Sequence, residues 1–277
     1  MSVYVPQFKN EYWFLHRYCD PVHDGYGWKF DGLTNEQELF PILDKWMFRR
    51  TKQDIWNDLP DEQHQMISVD IDKDLYDKEM RNLKKELKQT NLSDDEIEER
   101  LSKFESLSFS QKQSAIYTFI QEYLDTGSKL VVFAWHRTAM EAIYAKFKKC
   151  AIMIYGGTDP NDRKAFIKQF NEGDKTKLAV LQIKSCAEAI TLKADTIAYA
   201  ELPPTPGLLQ QSAERIWIAD GKQEKLFYYY FIAKGTVDKK RVDVLRSRAK
   251  LMNQTLDKNG ESGVLFGQSL AEIVEGE

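Results

Sequence analysis

The constraint that most limits this chain begins near residue 110. From there, apolar runs of strand length alternate with segments of helical character: "KLVVFAW", "AIMIY", "KLAVLQI", "DTIAYAEL" and "KLFYYYFIA". A strand covered by helices on both faces reads as a continuous apolar run, because neither of its sides meets water. Helices are expected between these runs: "QKQSAIYTFIQEYL" before the first, 138–149 after it, one opened by Asp159 and Pro160, one near 206–216, and one over 236–256. Pro160 suits a first helical turn, where its missing N–H costs nothing. The pattern predicts a doubly wound α/β domain with a mainly parallel five-stranded sheet.

The first 109 residues have a different texture. Residues 1–60 are aromatic and rich in turn signals, with glycines at 25, 27 and 32 and Pro21. "TNEQELFPILDKWMFRRT" keeps helical spacing at Leu39, Ile42, Leu43, Trp46 and Met47. Residues 61–71 read as a short strand, and 72–108 as charged helix with a capping-box pattern at Ser93 and Glu96. The organisation expected is a linker and helical region over 1–109, the α/β domain over 110–256, and a tail or brace over 257–277.

Net charge of −4 argues against a protein that coats nucleic acid, while leaving room for a local basic stripe. Cys19, Cys150 and Cys186 are far apart, the N-terminus has no apolar signal segment, and no apolar run is long enough to span a bilayer. These features fit free thiols in a reducing compartment. No G-x-x-x-x-G-K-[ST], G-x-G-x-x-G, G-x-S-x-G or C-x-x-C is present. "HRYCDPVH" gathers His16, Cys19 and His23 beside Asp20 and Asp24, but the spacing fits no common zinc site and reads as a packed aromatic loop. "LFYYYFI", which could suggest base stacking, reads better as a core strand.

Several linked motifs carry a family resemblance. "MFRRTKQDIWNDLPDEQ", with Phe48, Arg49, Arg50, Lys52, Asp54, Leu59 and Pro60, resembles the segment joining the two lobes of Swi/Snf-type, helicase-like ATPases of superfamily 2. "RYCDPVHDGYGWKFDGLTNEQEL" resembles the same region of the HepA-related annealing helicases. "KLVVFAWHRTAMEAI", "IYGGTDPNDRKAFIKQFN", "AELPPTPGLLQQSAER" and "FIAKGTVD" are similar to later motifs of that family, in order. The resemblance implies a RecA-like fold and the second, C-terminal lobe of an ATP-dependent DNA motor, preceded by its linker.

In that family ATP and magnesium lie between lobes. The first lobe carries the phosphate loop and the magnesium-holding box, so this chain is not expected to hydrolyse ATP alone. The resemblance assigns Arg215 as an arginine finger, supported by Gln211 and Glu214; a surface arginine paired with Glu214 is the plainer alternative. Arg50 would approach ATP, or serve with Arg49 and Lys52 as cations at a helix C-terminus. DNA phosphates would be met, without sequence reading, by His136, Arg137, Gly157, Thr158, Lys184 and Ser185.

The sequence departs from the family in two places. Ile218 stands where a second arginine is expected, and "IKSCAEAITL" replaces a glycine-rich run, with Cys186, Ala187 and Ala189 at glycine positions and Thr191 for asparagine. An inactive DNA- or protein-binding platform is therefore the rival expectation. Either protein would be intracellular: cytoplasmic, nucleoid-associated, or nuclear in a eukaryote.

Overall fold

The computed structural model describes residues 7–8, 10–23, 27–30, 32–46, 60–87, 94–187, 190–216 and 225–256. The segment with Arg49, Arg50, Lys52 and Asp54, the Ser93 cap, Ala189, Ile218, the side chains of Cys186 and Ala187, and the tail from 257 lie outside the described residues. The chain divides into two units, one of Met1–Asn57 with Ser247–Leu265, the other of Asp58–Arg246 with Phe266–Glu277.

In the first unit, helix α1 (Glu11–Tyr18) is capped by Asn10, whose side chain accepts the Trp13 N–H. A short antiparallel pair, β1 (Val22–His23) and β2 (Trp28–Lys29), and helix α2 (Glu36–Trp46) follow. Tyr18 is fully buried and donates its hydroxyl to Glu38 at 2.8 Å, while the Arg17 guanidinium grips the same carboxylate. Turn signals alone predicted no helix over 11–18; an aromatic side packed on Tyr18 provides one.

The second unit is built on a six-stranded sheet in the order β3-β8-β7-β4-β6-β5, parallel throughout. Its strands are β3 (Asp61–Val69), β4 (Leu130–Ala134), β5 (Ala151–Ile154), β6 (Leu178–Gln182), β7 (Thr196–Tyr199) and β8 (Lys225–Ala233). The five strands expected are joined by β3, which pairs along all of β8 at the sheet edge. Helices α3 (Lys73–Leu87), α4 (Asp94–Asp125), α5 (Arg137–Phe147), α6 (Pro160–Glu172), α7 (Pro206–Ala213) and α8 (Val237–Leu256) complete the unit. The helix expected to start near 111 is continuous with the charged one before it, because "SKFESLSFSQKQ" contains neither glycine nor proline to stop it.

One face of the sheet packs Leu130, Val132, Leu178, Val180 and Phe231 against Ile116 and Ile120 of α4 and Met140 and Ile143 of α5. On the other, alternating residues place a ring on each of four adjacent strands. Phe133 stacks on Tyr199 at 5.6 Å, Tyr199 on Tyr230 at 5.1 Å, and His64 on Tyr228 at 4.7 Å. The tyrosine triplet is thus a core strand whose hydroxyls find partners, such as Tyr230 with His64 Nδ1 at 2.9 Å. Burial pushes the Tyr228 and Tyr230 phenols well above their ordinary range. Tyr123, donating to Thr196 at 2.8 Å, is pushed up to about 12, chiefly by burial.

A buried ion pair pins α4 to the rest. Lys112, 1% exposed, donates to Asp238 at 2.6 Å and to the Phe231 carbonyl at 2.8 Å, and Asp238 also accepts the Ala233 N–H. Asp238→Ala leaves an ammonium unpaired in the interior and is expected to cost about 3–5 kcal/mol in urea unfolding, and Lys112→Met, which strands the Asp238 carboxylate and the Phe231 carbonyl, is expected to be destabilising as well. The buried phenols set a second expectation. They favour the neutral form in the folded state, so stability is complete below pH ~10, where unfolded tyrosines begin to ionise, and falls above it. The urea midpoint should hold up to pH ~10 and fall between pH ~10 and about 12, and Tyr123→Phe should flatten that fall.

Candidate functional site

The chain leaves β4 for β5 and β6 on one side, then crosses back to β7 and β8 on the other. Such a reversal opens a crevice at the C-terminal ends of the strands, where α/β sheets bind ligands. Three neighbouring strands end there: β4, β6 and β5.

Their exit loops are tied together by Gln182, the last residue of β6. Its Nε2 donates to the Trp135 carbonyl and its Oε1 accepts the Gly156 N–H, each at 3.4 Å. Lys184 stands with its ammonium 4.6 Å from the Trp135 ring centre, and the Arg137 guanidinium lies 4.5 Å from that of Tyr155. Arg137 also donates to Glu141 at 2.7 Å, and both are exposed. Thr158 closes the Tyr155–Thr158 turn with both its N–H and its hydroxyl, each at 3.0 Å. Gly156 and Gly157 are exposed within this turn, and a Cβ on Gly157 would lie 2.8 Å from the Tyr155 ring. Ser185 is buried, with its hydroxyl unpartnered among the described residues.

His136 has another environment. Its Nδ1 lies 2.9 Å from Glu201 and its Nε2 3.1 Å from Glu105, and Glu105 also pairs with Arg241. The second Glu201 oxygen accepts the N–H groups of Trp135 and His136, at 3.0 and 2.8 Å. The His136 ring is therefore committed to protein carboxylates, while its backbone belongs to the rim. Glu105, His136, Glu201 and Arg241 line a small recess with Trp135, Leu202, Val237 and Asp238.

Gln211, Glu214 and Arg215 come together at the end of α7. The helix is anchored through Ser212, whose hydroxyl meets that of Tyr199 at 2.9 Å. The Arg215 carbonyl accepts the Leu192 N–H at 2.8 Å, joining the helix end to the loop that follows a 3-10 turn at Ile183–Ala187. Arg215 donates from Nε to the Gln211 carbonyl at 2.9 Å and has no carboxylate partner among the described residues. Glu214 instead faces the Tyr228 phenol, where its charge adds to the upward push of burial. An arginine with unpaired Nη donors suits a phosphate oxygen. Among the described residues no group of three or more His, Cys, Asp or Glu is arranged to hold a metal. His16 is packed against Tyr12, Trp28 and Phe30, and His23 against Trp28.

Gln182, Glu201, Glu105 and Arg241 were not foreseen. Gln182 and Glu201 each left a trace, as a polar residue closing an apolar run; Glu105 and Arg241 meet the site across long sequence separations.

A family profile for the helicase conserved C-terminal domain matches residues 111–219. Two curated relatives match most of the chain. The SWI/SNF-related matrix-associated actin-dependent regulator of chromatin subfamily A-like protein 1 of Drosophila melanogaster is 30% identical over 95% of this chain and 35% of its own length. The DNA annealing helicase and endonuclease ZRANB3 of Mus musculus is 25% identical over 90% of this chain and 24% of its own length. The chain thus spans about a third or less of the relatives it matches. Among solved structures, the C-terminal part of the Fun30 ATPase domain aligns with a TM-score of 0.55 at 14% identity, covering 79% of this chain and all of that one. The Sulfolobus solfataricus SWI2/SNF2 ATPase core in complex with dsDNA aligns at 0.54 and 20% identity, over 86% of this chain and 55% of that one. With a six-stranded parallel sheet, a reversal at β4 and these matches, the chain carries a helicase conserved C-terminal domain of RecA-like fold and is homologous to the HepA-related annealing helicases.

Proposed function

We propose that this chain is the closing lobe of an ATP-driven DNA motor and that it works with a first lobe supplied by a separate chain or by a longer protein. The observation that carries this reading is the pairing of a loop rim knit by Gln182 with an arginine at the end of α7 that no carboxylate among the described residues holds. ATP and magnesium would be shared with the first lobe. When bound, the nucleotide supplies a phosphoryl group on which negative charge develops. Arg215 contributes an always-charged planar guanidinium, and Gln211 orients it through its backbone carbonyl. Glu214 accepts from Gln210 at 3.4 Å and adds its charge to the field at Tyr228. Arg50 remains assigned to the nucleotide by family resemblance alone.

DNA would run along the exit loops of β4, β6 and β5. Arg137 and Lys184 supply charge, Gly157 leaves its backbone open, and Thr158 holds the turn. Ser185 is a buried donor at the same rim. His136 would serve through its backbone N–H and by holding the loop, since its ring is engaged by Glu105 and Glu201. Such contacts are made to phosphates and do not read sequence. The protein would act in the compartment that holds the DNA.

The rival, an inactive platform, is favoured by Ile218 and by the alanines in place of glycines. One assay separates the two. The chain is combined with a first lobe from a Swi/Snf-type relative and duplex DNA, and DNA-stimulated ATP turnover is measured. Turnover is expected, and Arg215→Ala should lower it about a thousandfold, the lower end for an arginine finger. No stimulation in the parent mixture, with DNA binding intact, would support the platform. For DNA itself, Arg137→Ala with Lys184→Ala should weaken binding alike across sequences. The log–log salt dependence should become shallower by about 2, one unit per lost phosphate contact.

A further inference from the structure

The opposite rim of the sheet, at the N-terminal ends of the strands, carries a lysine row that the motor reading does not use. Lys193 precedes β7, Lys129 opens onto β4, Lys175 and Lys177 precede β6, and Lys148 and Lys149 precede β5. Backbone contacts hold these approaches together. The Lys177 N–H donates to the Cys150 carbonyl at 2.9 Å, and the Lys177 carbonyl accepts the Leu130 N–H at 2.8 Å. Asn171, at the foot of α6, accepts the Lys193 N–H at 2.8 Å and, through its carbonyl, the Lys129 ammonium at 3.1 Å. Lys177 donates to the Gly127 carbonyl at 2.6 Å. Lys129 and Lys177 are thus fixed in place as the row's inner members.

The outer members are free. Lys148, Lys149, Lys175 and Lys193, with Lys146 in the last turn of α5, are exposed and have no ion-pair partner among the described residues. The acids nearby cancel them only in part. Glu122, Asp125 and Asp174 are exposed at this end, Asp195 accepts from Tyr123 and Thr196, and Glu172 lies 4.0 Å from Lys168. Seven lysines therefore stand against four unneutralised acids in a chain whose net charge is −4. The strands β7, β4, β6 and β5 are consecutive neighbours. At about 4.8 Å per step the row runs roughly 14 Å, a length that spans two or three phosphates of an extended strand.

The geometry points to this rim as a second nucleic-acid surface, one that tracks the phosphates of a single strand. The row is all lysine, the compact point charge that holds phosphate without the planar fork of arginine. It contains no arginine or aromatic group placed to read a base. The rim lies a strand length, about 15 Å, from the exit loops, so one lobe can engage two DNA segments at once. The inference goes beyond the motor reading and does not depend on it.

The test uses the whole 277-residue chain and a fluorescent oligothymidylate of about 20 nucleotides, longer than a typical single-strand site. Anisotropy is followed as salt is raised. Changing Lys148, Lys149, Lys175 and Lys193 together to Glu is expected to weaken binding at least tenfold. The salt slope should flatten by about 1.4 to 2, at about 0.7 for each of the two or three lost phosphate contacts of a single strand. The corresponding Gln set, which keeps every backbone contact, should show a smaller loss with the same flattening. Arg137→Ala with Lys184→Ala should leave the rim's share intact, so failure of the exit-loop reading is scored separately. The inference is overturned if the Gln and Glu sets bind as the parent does, or if the parent does not bind the oligonucleotide. It is also overturned if polyglutamate of equal charge displaces the oligonucleotide at a lower concentration, which would mark an acidic-protein surface.

Discussion

Everything in the second unit follows from covering both faces of a parallel sheet. Strands paired in parallel cannot be joined by hairpins, so each connection must cross over as a helix, and the helices exclude water from both sides. Polar chemistry is then driven to the two rims, where strands end and loops begin. The fully buried ladder of Leu130 to Ala134 has no room for a functional group, and its next residues, Trp135 to Arg137, carry several. The reversal of strand order at β4 decides which rim gathers the candidate motor groups.

The rims are held by polar clasps rather than by further packing. Glu201 alone receives two backbone N–H groups and a ring nitrogen, which fixes the loop after β4 at the cost of burying a carboxylate. Gln182 performs the neutral version of the same task for three loops. Lys112 and Asp238 do so inside the core, where the pair is justified by also satisfying the Phe231 carbonyl and the Ala233 N–H. Buried polar groups of this kind specify one arrangement among many that apolar contacts would tolerate.

The α/β core was legible because continuous apolar runs have one economical solution. The edge strand β3 was visible as a strand but not as the sixth member of the sheet: its outward residues in "DEQHQMISV" are polar, and pairing with β8 leaves no local mark. Helix α1 was hidden because its aromatics look like loop packing until Tyr18 is seen to be fully buried. At the site, the exit-loop residues and Arg215 were reachable through family resemblance. Their partners across the fold, Glu201 for His136 and Tyr228 near Glu214, lie 65 and 14 residues away, a distance at which spacing carries no signal. That is also why a histidine picked out for a ligand proves to be engaged by its own chain.

The length of α4 has a mechanical consequence. At 1.5 Å per residue its 32 residues form a rod of about 48 Å. About a third of the way along it, Glu105 touches the His136 ring, and two turns further on Lys112 is bolted to Asp238. A rod gripped at two points and continuing well past both acts as a tiller: a modest swing of its leading end becomes a torque on the strand exit that His136 occupies.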